Sequence, residues 1–291
     1  MKYFITLILN IVFASIMQGQ TVAEKIAINA CDYLNSIDNI QVLQDSIQPS
    51  ITAAMAKVMM EGTLEERKHM GTVEGIRGTL KAAFDLLPDY CYNVRRLVIE
   101  DKKNTFYKSS GNLQANEHFN NGNRFMESDD YKNAIKEFRR ALNYDNSFVF
   151  AIDHLAISYR RLENYKKAIK YYKKSLDIFP EGDVALLNIA VSYSFLQDDD
   201  NSIKYYKQLK FLYADNPEGY FGLAKLLFIK EDYENALDNL FIAHRIYTES
   251  NSDYVKDSDQ LLSYMISKLK ELNKMNLVNK KAKEHNITIE E

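Results

Sequence analysis

The side chains that could do chemistry in this 291-residue chain are few and scattered. Imidazoles and thiols come first, because they are the common metal ligands, general bases and nucleophiles. They follow no metal-ligand spacing, and their positions suggest neither a Ser-His-Asp set nor a Cys-His pair. These residues are His69, His118, His154, His244, His285, Cys31 and Cys91. The sequence therefore predicts no metal site, no cofactor and no enzyme.

Three polar stretches resemble functional sites, but each lacks an essential part. "QDDDNS" at 197–202 has no central Gly and no distal Glu, which a calcium-binding EF-hand loop requires. "GTVEGIRG" at 71–78 has the wrong glycine spacing for a dinucleotide fingerprint, and no strand precedes it. Glu65 and Glu66 are paired carboxylates within a polar segment. We predict a turn at the first stretch, a loop entering a helix at the second, and a solvent-exposed loop at the third.

The first twenty residues, "MKYFITLILNIVFASIMQGQ", predict a secretory signal peptide. A lysine precedes an apolar run from Tyr3 to Met17, and small and polar residues follow it. Fifteen helical residues rise about 22 Å, short of the ~30 Å hydrocarbon core, so a permanent membrane span is the weaker alternative. We expect cleavage after Gly19 or Gln20. The mature chain would then be periplasmic, exposed at the cell surface or secreted.

"INAC" at 28–31 does not indicate a lipoprotein, because Glu24 and Lys25 separate it from the apolar run. In an oxidising compartment, Cys31 and Cys91 are expected to form a disulfide. Closing a loop of that length stabilises a fold by roughly 4 kcal/mol on the chain-entropy view. Two buried free thiols are the alternative.

The composition predicts a mostly helical protein with a packed core. Apolar residues make up 46% of the chain, which has only four prolines, ten glycines and no tryptophan. The net charge of −3 becomes −4 without the first twenty residues, which carry one lysine and no acid. Overall charge therefore gives no reason to expect an anionic partner.

A phrase of the sequence returns at intervals of thirty-four residues. "DYKNAIKEFRRALNYDN" at 130–146 becomes "NYKKAIKYYKKSLDIFP" at 164–180 and "DYENALDNLFIAHRIYT" at 232–248. Two columns of this layout hold small residues, which antiparallel helices need where their axes cross most closely. The columns are Ala134, Ala168, Ser202 and Ala236, and, twelve positions earlier, Gly122, Ala156, Ala190 and Ala224. Each unit is predicted to be a helix, a short turn and a second helix, capped at Asp130, Asn164 and Asp232.

The period, the small-residue pair and large aromatic residues such as Tyr172 resemble the tetratricopeptide repeat. The resemblance implies an all-α, right-handed solenoid over 113–248, with four units at about 115–148, 149–182, 183–216 and 217–250. Amphipathic helices at 251–285 are expected to cap it. Asn121 replaces an apolar residue in the first unit. Asp199 and Leu209 depart from the pattern in the third, which should be looser or tilted.

The segment 21–108 lacks the period and is predicted to form a small bundle of four helices, with Cys31 on the first and Cys91 at the start of the fourth. It resembles, more weakly, the cysteine-bearing helical leaders of exported repeat proteins in Bacteroidota. No chemistry follows from that resemblance.

Tetratricopeptide proteins usually bind an extended peptide along the concave face of their first helices. Carried over by position, that face here would consist of Phe119, Asn120, Asn123, Asp153, His154, Ile157, Arg160, Leu187, Asn188, Val191, Phe195, Phe221, Lys225 and Phe228. A carboxylate clamp for chaperone tails is excluded, because Phe119 and His154 stand where that clamp needs other residues. The resemblance thus implies a non-catalytic scaffold for a protein or peptide of unknown identity.

Other interpretations remain open. The groove could be merely hydrated, or filled by the N-terminal bundle of the same chain. The N-terminal bundle could instead be the functional part, with the array as a spacer or self-association surface. Lysines interleaved with tyrosines, from Lys166 to Lys174, resemble a nucleic-acid surface, but the tyrosines fall at core positions of the repeat, which favours a solvated face and no nucleic-acid partner.

Overall fold

The computed structural model describes residues 21–287, so the predicted signal peptide lies outside the described residues. This part of the chain folds into fifteen α-helices without a strand. It divides into two compact units between Lys102 and Lys103. None of the helices within 21–287 is long and apolar enough to cross a membrane.

The N-terminal unit is built from five helices, α1 Val22–Leu34, α2 Ile40–Glu61, α3 Leu64–His69, α4 Val73–Tyr90 and α5 Tyr92–Phe106. Helix α1 packs against both α2 and α4, and its buried side includes Ile26, Ala27 and Leu34. Cys31 on α1 and Cys91, between α4 and α5, form a disulfide with their Cα atoms 5.2 Å apart. The predicted pairing is present, at a Cα separation normal for disulfides.

Two sequence predictions for this unit are wrong in detail. The bundle has five helices rather than four, because Glu65 and Glu66 belong to the short helix α3 instead of a loop. The side chain of Thr63 accepts from the backbone of Glu66, and that of Glu66 from the backbone of Thr63, so a reciprocal capping box starts α3. Lys25 donates to Glu66 at 2.5 Å, which lowers the pKa of the Glu66 carboxyl to about 2.

The second unit contains four consecutive helix pairs. The pairs are α6 Leu113–Glu127 with α7 Tyr131–Tyr144, α8 Val149–Arg161 with α9 Tyr165–Ile178, α10 Asp183–Phe195 with α11 Asp199–Leu212, and α12 Pro217–Ile229 with α13 Tyr233–Glu249. The predicted caps Asp130, Asn164 and Asp232 each accept a backbone hydrogen bond, and Asp198 does the same for α11. Pro217 is the first residue of α12, where its missing N–H costs nothing.

The turn within each pair repeats at the same interval of thirty-four residues. Asp129, Glu163, Gln197 and Glu231 all adopt positive φ, between 56° and 64°. The following residue then donates its N–H to a carbonyl five positions earlier, as Asn164 does to Tyr159. Each first helix thus ends in a Schellman-type turn, with a non-glycine residue in the left-handed conformation.

Small residues at the helix crossings hold the pairs close together, as the period predicts. Ala134, Ala156, Ala168 and Ala190 are fully buried. A Cβ on Gly122 would lie 2.4 Å from the Phe138 ring, and a Cβ on Gly222 would lie 2.3 Å from the Tyr206 ring.

The third unit packs tightly despite its unusual sequence. Leu209, which departs from the repeat pattern, is fully buried. Beside it in the chain, the backbone of Lys210 lies against Gly219 of α12, where an added Cβ would come within 2.9 Å of the Lys210 nitrogen. A glycine therefore permits the close approach of α12 to α11.

The array ends in two further helices, α14 Val255–Glu271 and α15 Met275–Glu284, both of which contact α13. Met265, Leu269 and Val278 share a core with Leu237, Leu240 and Phe241 of the last repeat. Lys281 forms ion pairs with Glu234, Asp238 and Glu284. These helices therefore cover the apolar end of the fourth unit, as expected of a cap.

Candidate binding face of the repeat array

The inner face of the array is formed by the first helices of the pairs. Helix α6 contacts α8, α8 contacts α10 and α10 contacts α12, whereas contacts between successive second helices are sparser in the described residues. Layers that approach more closely on one side make that side concave. The side chains predicted to bind a peptide lie on α6, α8, α10 and α12, and all except Phe195 recur at equivalent positions of the repeat.

In the first half of the array, several of these side chains are engaged with one another. The Phe119 ring stacks on His154 at 5.1 Å and packs against Phe148 and Phe150. His154 Nδ1 lies 2.7 Å from the Asn123 side-chain oxygen. Burial lowers the pKa of His154 to about 4, so the imidazole is neutral near pH 7 and donates to Asn123. These contacts join α6 to α8 and leave little of the three side chains for a ligand.

Asp153 corrects the predicted site, because its side chain is only 1% exposed and therefore does not belong to an open face. Burial raises the pKa of this carboxyl to about 7. The hydroxyls of Tyr107 and Ser175 oppose that rise, but neither completes a hydrogen bond of normal geometry to the carboxyl. Asp153 is therefore largely protonated below neutral pH, because a buried unpaired carboxylate is strongly disfavoured.

A linker segment, residues 103–112, packs against the second unit, near the ends of its helices. The Tyr107 ring stacks on Phe150 at 5.2 Å and meets Phe179 edge-on at 5.4 Å. Phe106 stacks on Phe179 at 5.1 Å. The linker that leads into the first repeat therefore adds an aromatic cluster to the second unit.

Polar contacts fix both ends of the linker segment to the array. Lys103 donates to Asp183 at 2.6 Å, and its ammonium lies 4.7 Å from the centre of the Tyr213 ring. At the other end, the Ser110 hydroxyl donates to Asp145 at 2.5 Å. Each anchor lies at a helix end, so the segment spans the starts of α8 and α10.

The second half of the inner face is apolar and partly exposed. Leu187 and Val191 are half-buried on α10, and Phe195 at its end is 60% exposed. The Phe195 ring stacks on Tyr165 at 4.8 Å, which holds it in place. Asn188 donates to the Val184 carbonyl of its own helix, and its side-chain oxygen accepts no hydrogen bond from residues 21–287.

Helix α12 continues this surface. Phe221 is half-buried and packs edge-on against Tyr247 at 6.1 Å. Lys225 is exposed, with its ammonium 5.7 Å from the centre of the Phe221 ring. Phe228 is only 9% exposed, because it packs against Tyr233 and Tyr264. An aromatic surface beside an exposed cation can bind a peptide by apolar contact and by pairing with an acidic group.

The remaining predicted residues lie on α6 and α8. Asn120 is exposed, and Ile157 and Arg160 are half-buried. Sequence patterns missed Tyr107, since it lies outside the repeats and reaches Phe150 and Phe179 only through the fold. The aromatic pair Phe106 and Tyr107, directly before the first repeat, was the one available signal.

The histidines of the array all make structural hydrogen bonds. His118 pairs with Glu137 at 2.7 Å, His244 with Ser258 at 2.9 Å, and His285 with Asp238 at 2.9 Å. Within residues 21–287, no group of three or more His, Cys, Asp or Glu side chains is arranged to hold a metal ion.

Comparison with known proteins supports the repeat architecture. A family profile described as tetratricopeptide repeat matches residues 149–181, and a second of the same description matches residues 184–215. These segments coincide with the second and third helix pairs. The comparison with curated proteins gave no match.

Among solved structures, MamA from Desulfovibrio magneticus RS-1, residue 41 to the end, aligns with a TM-score of 0.51 and 12% identity, covering 60% of this chain and 96% of that one. A MamA RS-1 double mutant aligns with a TM-score of 0.51 and 13% identity, over 61% of this chain and 97% of that one. A thermophilic TPR protein of Thermus thermophilus aligns at a TM-score of 0.38 and 11% identity, over 58% and 97%. Such identities show the fold alone. The chain therefore contains tetratricopeptide repeats, stacked in an all-α solenoid.

Proposed function

We propose that the chain is a non-catalytic scaffold that binds a protein or peptide segment on the inner face of units three and four. The observation that carries this proposal is the apolar surface of Leu187, Val191, Phe195 and Phe221, which stays partly accessible. The tetratricopeptide fold supports a protein partner, because repeat arrays present extended concave surfaces of this kind.

The binding surface differs from the face that sequence alone predicts. Phe119, Asn123, Asp153 and His154 hold the first two units together, so they contribute stability rather than contacts to a ligand. Asn188, Phe195, Phe221 and Lys225 are the residues expected to touch the partner. An extended segment with apolar side chains and an acidic group fits them best, because Lys225 forms no ion pair within the described residues.

The test is selection of peptides from a random displayed library on the full chain, followed by calorimetric titration of the enriched peptides. Phe221→Ala should weaken binding about tenfold or more, as loss of a central aromatic contact does, and Asn188→Ala by less. Leu113→Ala is the matched control, since Leu113 is 81% exposed at the start of α6 and outside the inner face. Peptides that bind all three variants with the affinity of the wild type would refute the inner-face proposal.

We propose further that the protein is exported to the cell envelope or beyond. The predicted signal peptide supports export, and so does the Cys31–Cys91 disulfide, because such bonds persist in oxidising compartments. Cell fractionation with thiol labelling tests this. Cytoplasmic recovery with both thiols free would refute export.

The alternative is an accessory subunit whose N-terminal unit makes the functional contact. The exposed apolar side chains flanking and starting α3 favour it, namely Met60 at 73%, Leu64 at 84% and Val73 at 69% exposed. Peptides or partners lost from Leu64→Asp but kept by Phe221→Ala would support this alternative over the inner face.

A further inference from the structure

The second helices of the first two repeats concentrate positive charge. Together α7 and α9 hold nine cationic side chains and only two carboxylates, Glu137 and Asp177. The cations are Lys132, Lys136, Arg139, Arg140, Lys166, Lys167, Lys170, Lys173 and Lys174. This concentration is local, because the whole chain has a net charge of −3.

The cations of both helices face the same side of the array. The buried sides of α7 and α9 meet in one core that contains Ala134, Phe138, Ala168 and Tyr172. Their opposite sides therefore point outward together, away from the inner face. Pairs of cations fall at equivalent positions one repeat apart, namely Lys132 with Lys166, Lys136 with Lys170, Arg139 with Lys173 and Arg140 with Lys174. These eight paired residues define the outer cationic face, and all of them except the half-buried Lys174 are exposed.

The outer cationic face is almost free of internal neutralisation. Arg140 pairs with Glu137, but the other seven cations form no ion pair with any carboxylate of residues 21–287. The fourth repeat differs, because Glu234 pairs with Lys280 and Asp238 with Lys281. Like charges four residues apart, as in Lys166, Lys170 and Lys174, repel one another on a helix surface. An external anion would relieve that repulsion.

The aromatic contacts distinguish between anionic partners. Tyr159 and Tyr193 are each 8% exposed and stack on Tyr171 and Tyr205 at 5.5 and 5.8 Å. These rings are not free for a nucleic-acid base to stack on, and Tyr144 on α7, although 52% exposed, is already stacked on His118 at 5.6 Å. A set of exposed ammonium and guanidinium groups on one outward side instead suits a broad anionic surface.

We propose that the outer cationic face docks the protein onto an anionic phospholipid bilayer. Each lysine or arginine near such a surface contributes about 1 kcal/mol, and the attraction falls off within a Debye length of about 10 Å. The inner face, on the opposite side of the units, would stay free for a peptide. This docking is independent of the proposed peptide binding, so either can fail without the other.

Sedimentation of the full chain with lipid vesicles tests the proposal. The readout is the ratio of binding to vesicles of phosphatidylcholine with phosphatidylglycerol over binding to phosphatidylcholine alone, at low and high salt. Apolar binding by the predicted signal peptide, residues 1–20, strengthens binding to both vesicle types by the same factor. It therefore cancels in this ratio. The ratio should be well above one at low salt and should fall towards one at high salt.

Neutralising three face residues, Lys132→Gln with Lys166→Gln and Lys170→Gln, should lower binding to the anionic vesicles by roughly 100-fold, about fivefold per residue. The matched control removes the same net charge elsewhere, as Lys256→Gln with Lys270→Gln and Lys283→Gln on α14 and α15. All six lysines are exposed and form no ion pair in the described part of the chain, so both variants should fold.

Three results would overturn the proposal. One is a ratio of one for the wild type. Another is an equal loss of binding in the face variant and the control variant, which would mean that net charge alone matters. The third is binding of the wild type to duplex DNA or polyglutamate without binding to anionic vesicles.

Discussion

The first and second halves of the repeat array have the same packing but different surfaces. Small residues are fully buried at the helix crossings of both halves, Ala134 and Ala156 in the first half and Ala224 and Ala236 in the second. On the inner face, the first half is closed by the contact of His154 with Asn123, whereas the second half exposes Phe195 and Lys225. On the outer side, the first half is cationic, whereas the acids of the fourth unit are paired with the cap.

The difference teaches which positions the repeat constrains. Positions at the helix crossings must hold small residues in every unit, because a larger side chain would push the helices apart. Surface positions are free of that demand. At one of them the four units carry Phe119, Asp153, Leu187 and Phe221, which are respectively stacked, buried, half-exposed and half-exposed. Function can therefore differ between halves without altering the fold.

The prediction with the largest expected effect tests whether the stability of both halves of the array is independent of the N-terminal unit. Replacing Cys31 and Cys91 together by Ala should destabilise the N-terminal unit by about 4 kcal/mol, through the regained freedom of a sixty-residue loop. The array should be unchanged, since it forms a separate compact unit. Hydrogen exchange resolved by segment would show the loss in residues 22–102 only. Lost protection in α8 or α12 would mean that the halves depend on the disulfide.

The next prediction concerns the pH dependence of folding stability, which we expect to arise in the first half of the array. The pKa of Asp153 is raised to about 7 from 3.8, so the folded state keeps a proton that the unfolded chain loses. Its contribution to stability is complete below pH 3.8 and is lost as pH rises towards 7. The pKa of His154 is lowered to about 4 from 6.5, so its contribution is complete above pH 6.5 and is lost as pH falls towards 4.

Asp153 and His154 therefore change the free energy of unfolding with pH in opposite directions, each by up to about 1.4 kcal/mol per pH unit. Asp153→Asn should gain stability over the wild type as pH rises from 4 to 7, and should expose the opposite slope of His154. Urea unfolding at a series of pH values measures this. The control is Leu187→Asn, the equivalent position of the third unit, which should shift stability without changing its pH dependence. A wild-type pH profile retained in Asp153→Asn would contradict the burial argument.

The sequence alone predicted the features that the thirty-four-residue period determines. The small residues, the capping residues and the ends of the helix pairs all follow from local propensity and spacing, so each could be placed without coordinates. The exposure of Asp153 was predicted wrongly, because its cover, Tyr107, is distant in sequence and belongs to no repeat. Helix α3 was missed because six residues are too few for a periodic signal, although Thr63 and Glu66 form a recognisable capping box.

A third prediction compares two close contacts of glycine with an aromatic ring, one within the first unit and one between the third and fourth units. Gly122→Ala and Gly222→Ala should each cost about 1–3 kcal/mol, because the new Cβ would overlap the rings of Phe138 and Tyr206. Gly78→Ala, on α4, is the control. No atom lies within 4 Å of the added Cβ there, so the variant should gain about 0.5–1 kcal/mol from helix propensity. Thermal unfolding measures all three. A clear cost in only one of the two glycine variants would show that the other contact can relax to admit a methyl group.

The smallest effect concerns the turns, where the halves should respond alike. Glu163 and Glu231 hold positive φ values of 57° and 64°, which strain a residue with a side chain. Glu163→Gly and Glu231→Gly should each stabilise the array by about 0.5–1 kcal/mol, because glycine adopts this conformation freely. Glu163→Ala is the control, since it removes the same carboxylate but keeps Cβ, and it should give no gain. If Ala and Gly stabilise equally, the gain comes from lost charge rather than relieved strain, and the repeated turn geometry has no part in it.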